Sequence, residues 1–123
     1  MFADGSREEV DVLLAATGYR FTLPFLSPEI LSADPEELPL FRGVMHPRHH
    51  DLFVIGVMKA ICSIWPRSEQ QMAFVAALLA GEYRLPSQRR IERESYPVLQ
   101  TPFGNCQFYA HDLRREIARG RRR

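Results

Sequence analysis

Two short apolar runs without a charged residue, residues 12–16 and residues 52–57, most constrain the fold of this 123-residue chain. Neither run alternates between apolar and polar side chains, so each is typical of a strand whose two faces are both covered. Gly18 follows the first run and Gly56 ends the second strand. At Gly18 two interpretations stay open: a tight turn after the strand, or a strand end against which a cofactor lies, because glycine permits both φ > 0 and a close approach.

A long helix is predicted after the second strand. Pro66 suits the first helical position, Glu69 falls in the first turn where a carboxylate complements the helix dipole, and Gly81 is placed to cap the C-terminus. The pattern predicts a helix over residues 66–80, the longest of the chain, with apolar residues around nearly its whole circumference. We expect such a helix to be buried on all sides.

Weaker signals cover the remainder of the chain. Asp4-Gly5 indicates the turn of a β-hairpin whose first arm is very short. A small strand is predicted near residues 40–45, a short surface helix within residues 84–94, and a terminal helix over residues 112–123. The arginines at its end are interpreted as a solvated helix terminus rather than a nucleic-acid patch.

Composition limits the classes of protein to which the chain can belong. With 46% hydrophobic and 25% charged residues it is globular, and its length allows at most one domain. A net charge of +1 gives no general case for nucleic-acid binding. The longest apolar stretches fall far short of the ~20 residues of a membrane-spanning helix, and the N-terminus does not resemble a signal peptide. We expect a cytoplasmic protein with no membrane span.

Neither the histidines nor the cysteines predict a chemical site. His46, His49 and His50 offer metal-ligand types, but they lack a rigid spacing and a fourth partner. Cys62 and Cys106 have no metal spacing and no evident base nearby, so we interpret them as free thiols in a reducing compartment. No catalytic residue and no metal ligand is predicted within this chain.

Four blocks of the sequence together resemble the C-terminal part of flavin-containing monooxygenases. In that family a strand ends in Ala-Thr-Gly-Tyr, Pro-Phe-Leu follows, a second strand ends near glycine, a helix starts with Pro-x-x-Glu-x-Gln, and Gly-x-x-x-Leu-Pro comes after it. The matching positions here are Ala16 to Tyr19, Pro24 to Leu26, Gly56, Pro66 to Gln71, and Gly81 to Pro86. The sequence differs where the family usually has Gln-Pro-x-Gly, because residues 59–62 are Lys-Ala-Ile-Cys.

The resemblance implies an α/β fold, namely the C-terminal part of a two-dinucleotide-binding (FAD/NADP, Rossmann-like) flavoprotein, incomplete as given. Residues 1–26 would end the NADPH-binding insertion and return to the FAD domain. Residues 27–86 would supply the last strand and long helix of the FAD domain, and residues 87–123 a helical tail. Two all-apolar elements also need covering layers that a chain this short barely contains. We therefore expect this chain to be a piece of a larger protein.

The resemblance also implies the cofactors and the residues near them. Thr17 and Gly18 would lie where the two domains meet, close to bound dinucleotide. The backbone N–H groups of Ile64, Trp65 and Arg67 would lie at a helix N-terminus facing the flavin. FAD and NADPH each need a glycine-rich turn for the pyrophosphate. The only glycines are at positions 5, 18, 43, 56, 81, 104 and 120, so no G-x-G-x-x-G is present, and we expect no stable cofactor binding by this chain alone.

Two functions remain open. In the first, the parent enzyme uses NADPH and O2 to oxygenate a small-molecule substrate: a soft nitrogen or sulfur nucleophile, or a ketone. In the second, the chain is a non-catalytic remnant that only binds a partner or is unstable. In either case, apolar faces meant for missing layers are expected to promote self-association.

Overall fold

The computed structural model describes residues 2–17, 23–27, 29–30, 37–57, 63–97 and 106–121. The elements in chain order are β1 (Pro39–Phe41), α1 (Trp65–Leu79), α2 (Gln88–Arg93), β2 (Ser95–Pro97) and α3 (Cys106–Arg121). Helices α1 and α3 pack against each other, and β1 pairs with β2. The arrangement is a small mixed assembly of helices and sheet.

The sheet is short for a chemical reason. β1 and β2 run antiparallel, with Leu40 opposite Tyr96 and Phe41 opposite Ser95. Pro39 lies opposite Pro97, and because proline has no N–H, this last pair cannot form ladder hydrogen bonds in either direction. Beyond Phe41 the chain turns back on itself, and isolated bridges join Phe41 to Met45 and Met45 to Phe53.

The core lies between the two long helices and the sheet. On α1 the buried residues are Arg67, Gln71, Phe74 and Ala77, a spacing of three and four that places them on one helical face. The aromatic rings of Phe41 and Phe74, and of Phe74 and Tyr83, have centroids 6.3 and 5.0 Å apart. The hydrophobic core comprises Leu38, Leu40, Phe41, Val44, Met45, Phe74, Ala77, Tyr83, Ile91, Tyr109 and Leu113.

The predicted end of α1 is confirmed in detail. Gly81 has φ +73°, and its N–H donates to the carbonyl of Leu78 at 3.1 Å, while the N–H of Glu82 donates to the carbonyl of Ala77 at 2.9 Å. These two bonds form a Schellman motif, which satisfies carbonyls that the helix itself leaves without donors. The predicted turn near Gly5 and the short helix within residues 84–94 are also present, but the β-hairpin predicted around that turn is wrong, because residues 6–16 form no strand.

Both predicted buried strands are wrong for this structure. Residues 11–16 form no strand and are exposed, with Leu13 and Leu14 at 85% and 86% exposure. Residues 52–57 are half-buried and contribute only the bridge at Phe53 together with bonds such as Val54 N–H to the Val44 carbonyl at 2.8 Å. A strand is held by hydrogen bonds to neighbouring strands, and within the described residues nothing pairs with 11–16.

The long helix itself is confirmed, but four details of its prediction are wrong. α1 begins at Trp65, so Pro66 is its second residue and the first turn has no acidic residue; Glu69 lies further along. α1 is buried on one face only, since Trp65, Met72 and Leu79 are exposed. Among the described elements α3, with 16 residues, is longer than α1, with 15. No helix in the described part of the chain combines the length and apolar character that crossing a membrane requires.

Candidate functional site

The N-terminal turn of α1 is exposed to solvent at Trp65 and Pro66. Ile64 precedes the helix with helical φ and ψ and without a side-chain cap. Its carbonyl accepts the N–H groups of Arg67 and Ser68 at 3.1 and 3.0 Å, and the Ser68 hydroxyl at 3.2 Å. Trp65 is 79% exposed. This end of the helix carries about half a positive charge from the aligned peptide dipoles, and the exposed indole lies beside it.

A groove runs along the first turns of α1. It has a volume of about 470 Å³ and lies between α1 and α3. The lining residues are Pro66, Glu69, Gln70, Gln107, Ala110 and Arg114. Four of these six residues are polar or charged, but most of the exposed lining surface is apolar, and the groove is open to solvent rather than enclosed as a pocket for a ring system typically is.

A buried amide anchors α1 from behind. Gln71 has 0% exposure. Its Oε1 accepts the N–H of Gly56 at 2.9 Å, and its Nε2 donates to the carbonyl of Gly43 at 2.9 Å and to the Tyr109 hydroxyl at 3.0 Å. The Tyr109 hydroxyl in turn donates to the carbonyl of Arg42 at 2.9 Å. One side chain thus connects α1 with α3, with the turn after β1 and with the glycine predicted to end the second strand.

A second buried cluster is ionic. Arg42, whose φ is +55°, donates to Glu94, to Asp112 at 2.8 Å and to Glu116 at 3.0 Å. Arg90 donates to Glu94 at 2.8 Å and to Glu116 at 2.5 Å. The hydrogen bonds link the turn after β1, α2 and α3, so the cluster joins elements that are distant in sequence.

These contacts shift several pKa values. Burial raises the pKa of the Glu94 carboxyl, but the hydrogen bond from Arg90 and the charge of Arg42 outweigh it, and the net shift is downward. Burial, followed by the negative charge of Glu116, raises the pKa of Tyr83, whose hydroxyl donates to Glu116 at 2.9 Å. Tyr83 therefore stays protonated and acts as a neutral hydrogen-bond donor. A group that does not exchange its proton near neutral pH is not suited to acid–base catalysis there.

The predicted site residues are distributed unevenly. Ile64, Trp65 and Arg67 lie together at the start of α1. Arg67 is buried with its guanidinium 5.5 Å from the centroid of the Tyr109 ring, and its backbone N–H is engaged with Ile64. Thr17 is exposed at the end of the irregular segment of residues 11–17. Gly18 lies outside the described residues, so its predicted contact with dinucleotide stays a prediction.

Sequence reasoning missed the buried polar residues. Gln71 was visible as the last residue of the Pro-x-x-Glu-x-Gln block, but a glutamine on an otherwise apolar helix gives no sign of its partners. Arg42 and Glu116 lie 74 residues apart in sequence, and no local pattern pairs them. The described part of the chain contains no group of histidine, cysteine or carboxylate residues that could hold a metal ion.

Comparison with known proteins identifies the family to which this chain belongs. The family model of flavin-binding monooxygenase-like proteins matches residues 1–106. The chain belongs to this family, and the predicted resemblance is confirmed. The family implies a dinucleotide-binding flavoprotein fold, of which the described elements form a small part.

The relatives are much longer than this chain. Flavin-containing monooxygenase 2 of Homo sapiens is 36% identical over 93 residues, which cover 72% of this chain and 17% of the human protein. Flavin-containing monooxygenase 5 of Mus musculus is 34% identical over 97 residues, covering 76% and 18%. The N-oxide-forming dimethylaniline monooxygenase 2 of Rattus norvegicus is 36% identical over 92 residues, covering 72% and 17%. The chain thus spans less than a fifth of the length of these relatives.

Proposed function

We propose that this chain is the segment of a flavin-dependent monooxygenase that completes the flavin site, and that the whole protein uses FAD, NADPH and O2. The match of the family across residues 1–106 carries the proposal. The bound flavin would supply the oxygen-activating chemistry. This chain would supply the N-terminus of α1, whose partial positive charge favours negative charge developing on the pyrimidine edge of the ring.

The residues present fit one part of the cofactor and not another. Trp65 and the open first turn of α1 offer a face for an aromatic ring system. The pyrophosphate of a dinucleotide needs a glycine-rich turn at a helix N-terminus, and the sequence has no G-x-G-x-x-G. The proposed role is therefore to complete a flavin site rather than to hold FAD independently, with Thr17 and Gly18 close to the bound dinucleotide as the resemblance implies.

The proposed substrate is a small molecule with a soft nitrogen or sulfur nucleophile, or a ketone. The name of the rat relative, an N-oxide-forming dimethylaniline monooxygenase, favours nitrogen among these. The described residues include no group that we assign to substrate, so the substrate class rests on the relatives alone.

A chimera tests this function. The segment of human flavin-containing monooxygenase 2 that matches this chain over 93 residues would be replaced by the corresponding residues of this chain, and bound FAD, NADPH oxidation and oxygenation of dimethylaniline, an aryl sulfide and a cyclic ketone would be measured. We expect stoichiometric FAD and N-oxide formation. A folded chimera without FAD would contradict the proposal.

The alternative, a non-catalytic remnant that binds a partner, has one observation in its favour. Several large apolar side chains are exposed, among them Leu13, Leu14, Trp65 and Leu79, and exposed apolar surface marks interaction sites or aggregation where it is contiguous. The chimera separates the two functions, because a remnant that has lost its fit to the flavin site would leave the hybrid protein without cofactor.

A further inference from the structure

The proposed function leaves unexplained why the family block that starts α1 ends in glutamine, at Gln71. This residue lies well inside the helix, on the buried face that also includes Arg67 and Phe74. A glutamine that is fully buried loses its hydration, and this is tolerated only when protein groups replace the lost hydrogen bonds. The partners of Gln71 therefore indicate what it does.

The surroundings fix the orientation of the carboxamide. Gly56 presents an N–H to Oε1 at 2.9 Å, and Gly43 presents a carbonyl to Nε2 at 2.9 Å. Rotating the amide by 180° would put a donor against the donor of Gly56 and an acceptor against the acceptor of Gly43. The Tyr109 hydroxyl, which donates to Arg42, accepts from Nε2 at 3.0 Å. The uncharged amide satisfies Gly56 and Gly43 together, whereas an ionised glutamate has no donor for Gly43 and a hydrocarbon side chain has neither donor nor acceptor.

Gly56 also lies near the first turn of α1. Its φ is +80°, and a Cβ built on it would lie 3.4 Å from the Ser68 hydroxyl. That hydroxyl donates to the carbonyl of Ile64 at 3.2 Å. Gly56 thus donates to Gln71 and lies near Ser68, which belongs to the N-terminal turn of the same helix.

We propose that Gln71 is a positioning residue that sets the N-terminal turn of α1 against Gly56, and thereby the helix end against the flavin. This inference rests on the proposed function for its second half. The first half, a clamp between Gln71 and Gly56, concerns this chain alone. In the flavoprotein, loss of the clamp would let the helix end shift relative to the ring, and small displacements of preorganised groups have large effects.

The clamp is tested by amide hydrogen exchange in the full chain. Gln71→Met keeps the length and helix propensity of the side chain but removes the amide. Gln88→Met is the matched control, because Gln88 also donates to a backbone carbonyl, that of Pro47 at 3.0 Å, but on α2. We expect exchange at Gly56 to accelerate about tenfold or more in Gln71→Met and to stay unchanged in Gln88→Met. Unchanged exchange at Gly56 in a folded Gln71→Met chain would overturn the clamp.

A measurement on the unmodified chain covers the case in which Gln71→Met does not fold. The carboxamide protons of Gln71 should exchange more slowly than those of Gln88, and a scalar coupling across the hydrogen bond should connect the Gly56 nitrogen with the Gln71 side-chain carbonyl carbon. Equal exchange of the two carboxamides without the coupling would show that the clamp is absent.

The effect on the flavin is tested in the chimera described above. We expect Gln71→Met to make the flavin reduction potential more negative and to slow reduction by NADPH, with Gln88→Met unchanged. A residue that only stabilised the fold would lower the melting temperature and leave the potential where it was, and that result would overturn the positioning role. If the chimera with the native chain holds no FAD, the proposed function fails, and the exchange experiment alone decides the clamp.

Discussion

At the scale of single residues, buried polar groups decide which parts of this chain are held together. Arg42 adopts a left-handed backbone conformation that costs a non-glycine residue about 1 kcal/mol or more, and its guanidinium bonds to carboxylates on two other elements. Glu116 is 1% exposed, and its carboxylate accepts hydrogen bonds from the guanidinium groups of both Arg42 and Arg90. The conformational cost at Arg42 is therefore offset by contacts that only this backbone geometry aligns.

Removing one member of this cluster should be far more damaging than removing a surface charge. Glu116→Ala removes a fully buried acceptor that Arg42, Arg90 and the Tyr83 hydroxyl share, and because both arginines keep Glu94 as a partner we expect a loss of about 1–3 kcal/mol in the free energy of unfolding. Arg119→Ala is the control, since Arg119 is half exposed and 3.8 Å from Glu116, and should cost less than ~0.5 kcal/mol. Urea titrations followed by circular dichroism would measure both. Equal effects of the two substitutions would contradict this account of the cluster.

His46 predicts a dependence of stability on pH. Burial, then the charges of His49 and Arg48, lower its pKa below the ordinary 6.5, and its Nδ1 accepts the N–H groups of Arg48 and His49 at 3.2 and 2.9 Å. Since the folded state binds the proton less readily than the unfolded state, this contribution is present above pH 6.5 and is lost as the pH falls below it.

Melting temperatures between pH 7.5 and 5 would test this. His46→Asn retains an acceptor for the turn but does not titrate, so it should flatten the curve across this window. The lowered pKa of Glu94 acts at more acidic pH, below its ordinary 4.5, and leaves this window unaffected. A wild-type melting temperature that rose on acidification would show that the sign is wrong.

At the scale of elements, α3 packs closely against Tyr83 because the residue at the contact, Gly120, is a glycine. A Cβ on Gly120 would lie 2.0 Å from Cδ2 of the Tyr83 ring. Helix propensity alone favours alanine over glycine by about 1 kcal/mol, but overpacking of this kind costs typically 1–3 kcal/mol. The clash at 2.0 Å is severe, so the packing cost should win.

Gly120→Ala should therefore lower the melting temperature of the chain. The same substitution in a Tyr83→Leu background should be less harmful, because the ring that it strikes has gone. Differential scanning calorimetry of the four proteins measures this coupling. An increase in melting temperature for Gly120→Ala in the native background would contradict the packing.

The elements differ in how well the sequence predicts them. α1 could be predicted because its signals are local: a proline near its start and Gly81 in a Schellman motif at its end. The structure of residues 11–16 could not be predicted, because an apolar run indicates burial but does not specify a partner strand, and a strand requires one. The register of β1 with β2, which places Leu40 beside Tyr96, joins residues far apart in sequence and has no local signature.

The candidate site divides in the same way. The resemblance placed Ile64, Trp65 and Arg67 at a helix start, where the structure has them, and their contact with flavin stays a prediction. The clamp from Gln71 to Gly56 spans 15 residues and depends on how α1 packs. The sequence shows that the block from Pro66 to Gln71 ends in glutamine, but only the structure shows that this glutamine bonds to Gly56 and Gly43.

At the scale of the whole molecule, the chain combines a packed interior with surfaces that lack a covering layer. Trp65, Met72 and Leu79, each seven residues apart on α1, are 79%, 56% and 75% exposed. Residues spaced by seven lie on one side of a helix, so these three form an apolar stripe opposite the buried face. We expect this stripe and the exposed segment of residues 11–16 to promote association of the isolated chain.

The most direct test of the central claim, that this chain completes a flavin site but cannot hold the cofactor independently, is flavin retention. Residues 1–123 would be expressed alone, incubated with excess FAD, and separated by gel filtration with absorbance recorded for protein and flavin. A helix terminus contributes at most ~2 kcal/mol to anion binding, whereas micromolar affinity requires about 8.2 kcal/mol. The account predicts a protein peak without flavin absorbance, eluting larger than a monomer; a monomer carrying one FAD per chain would contradict it.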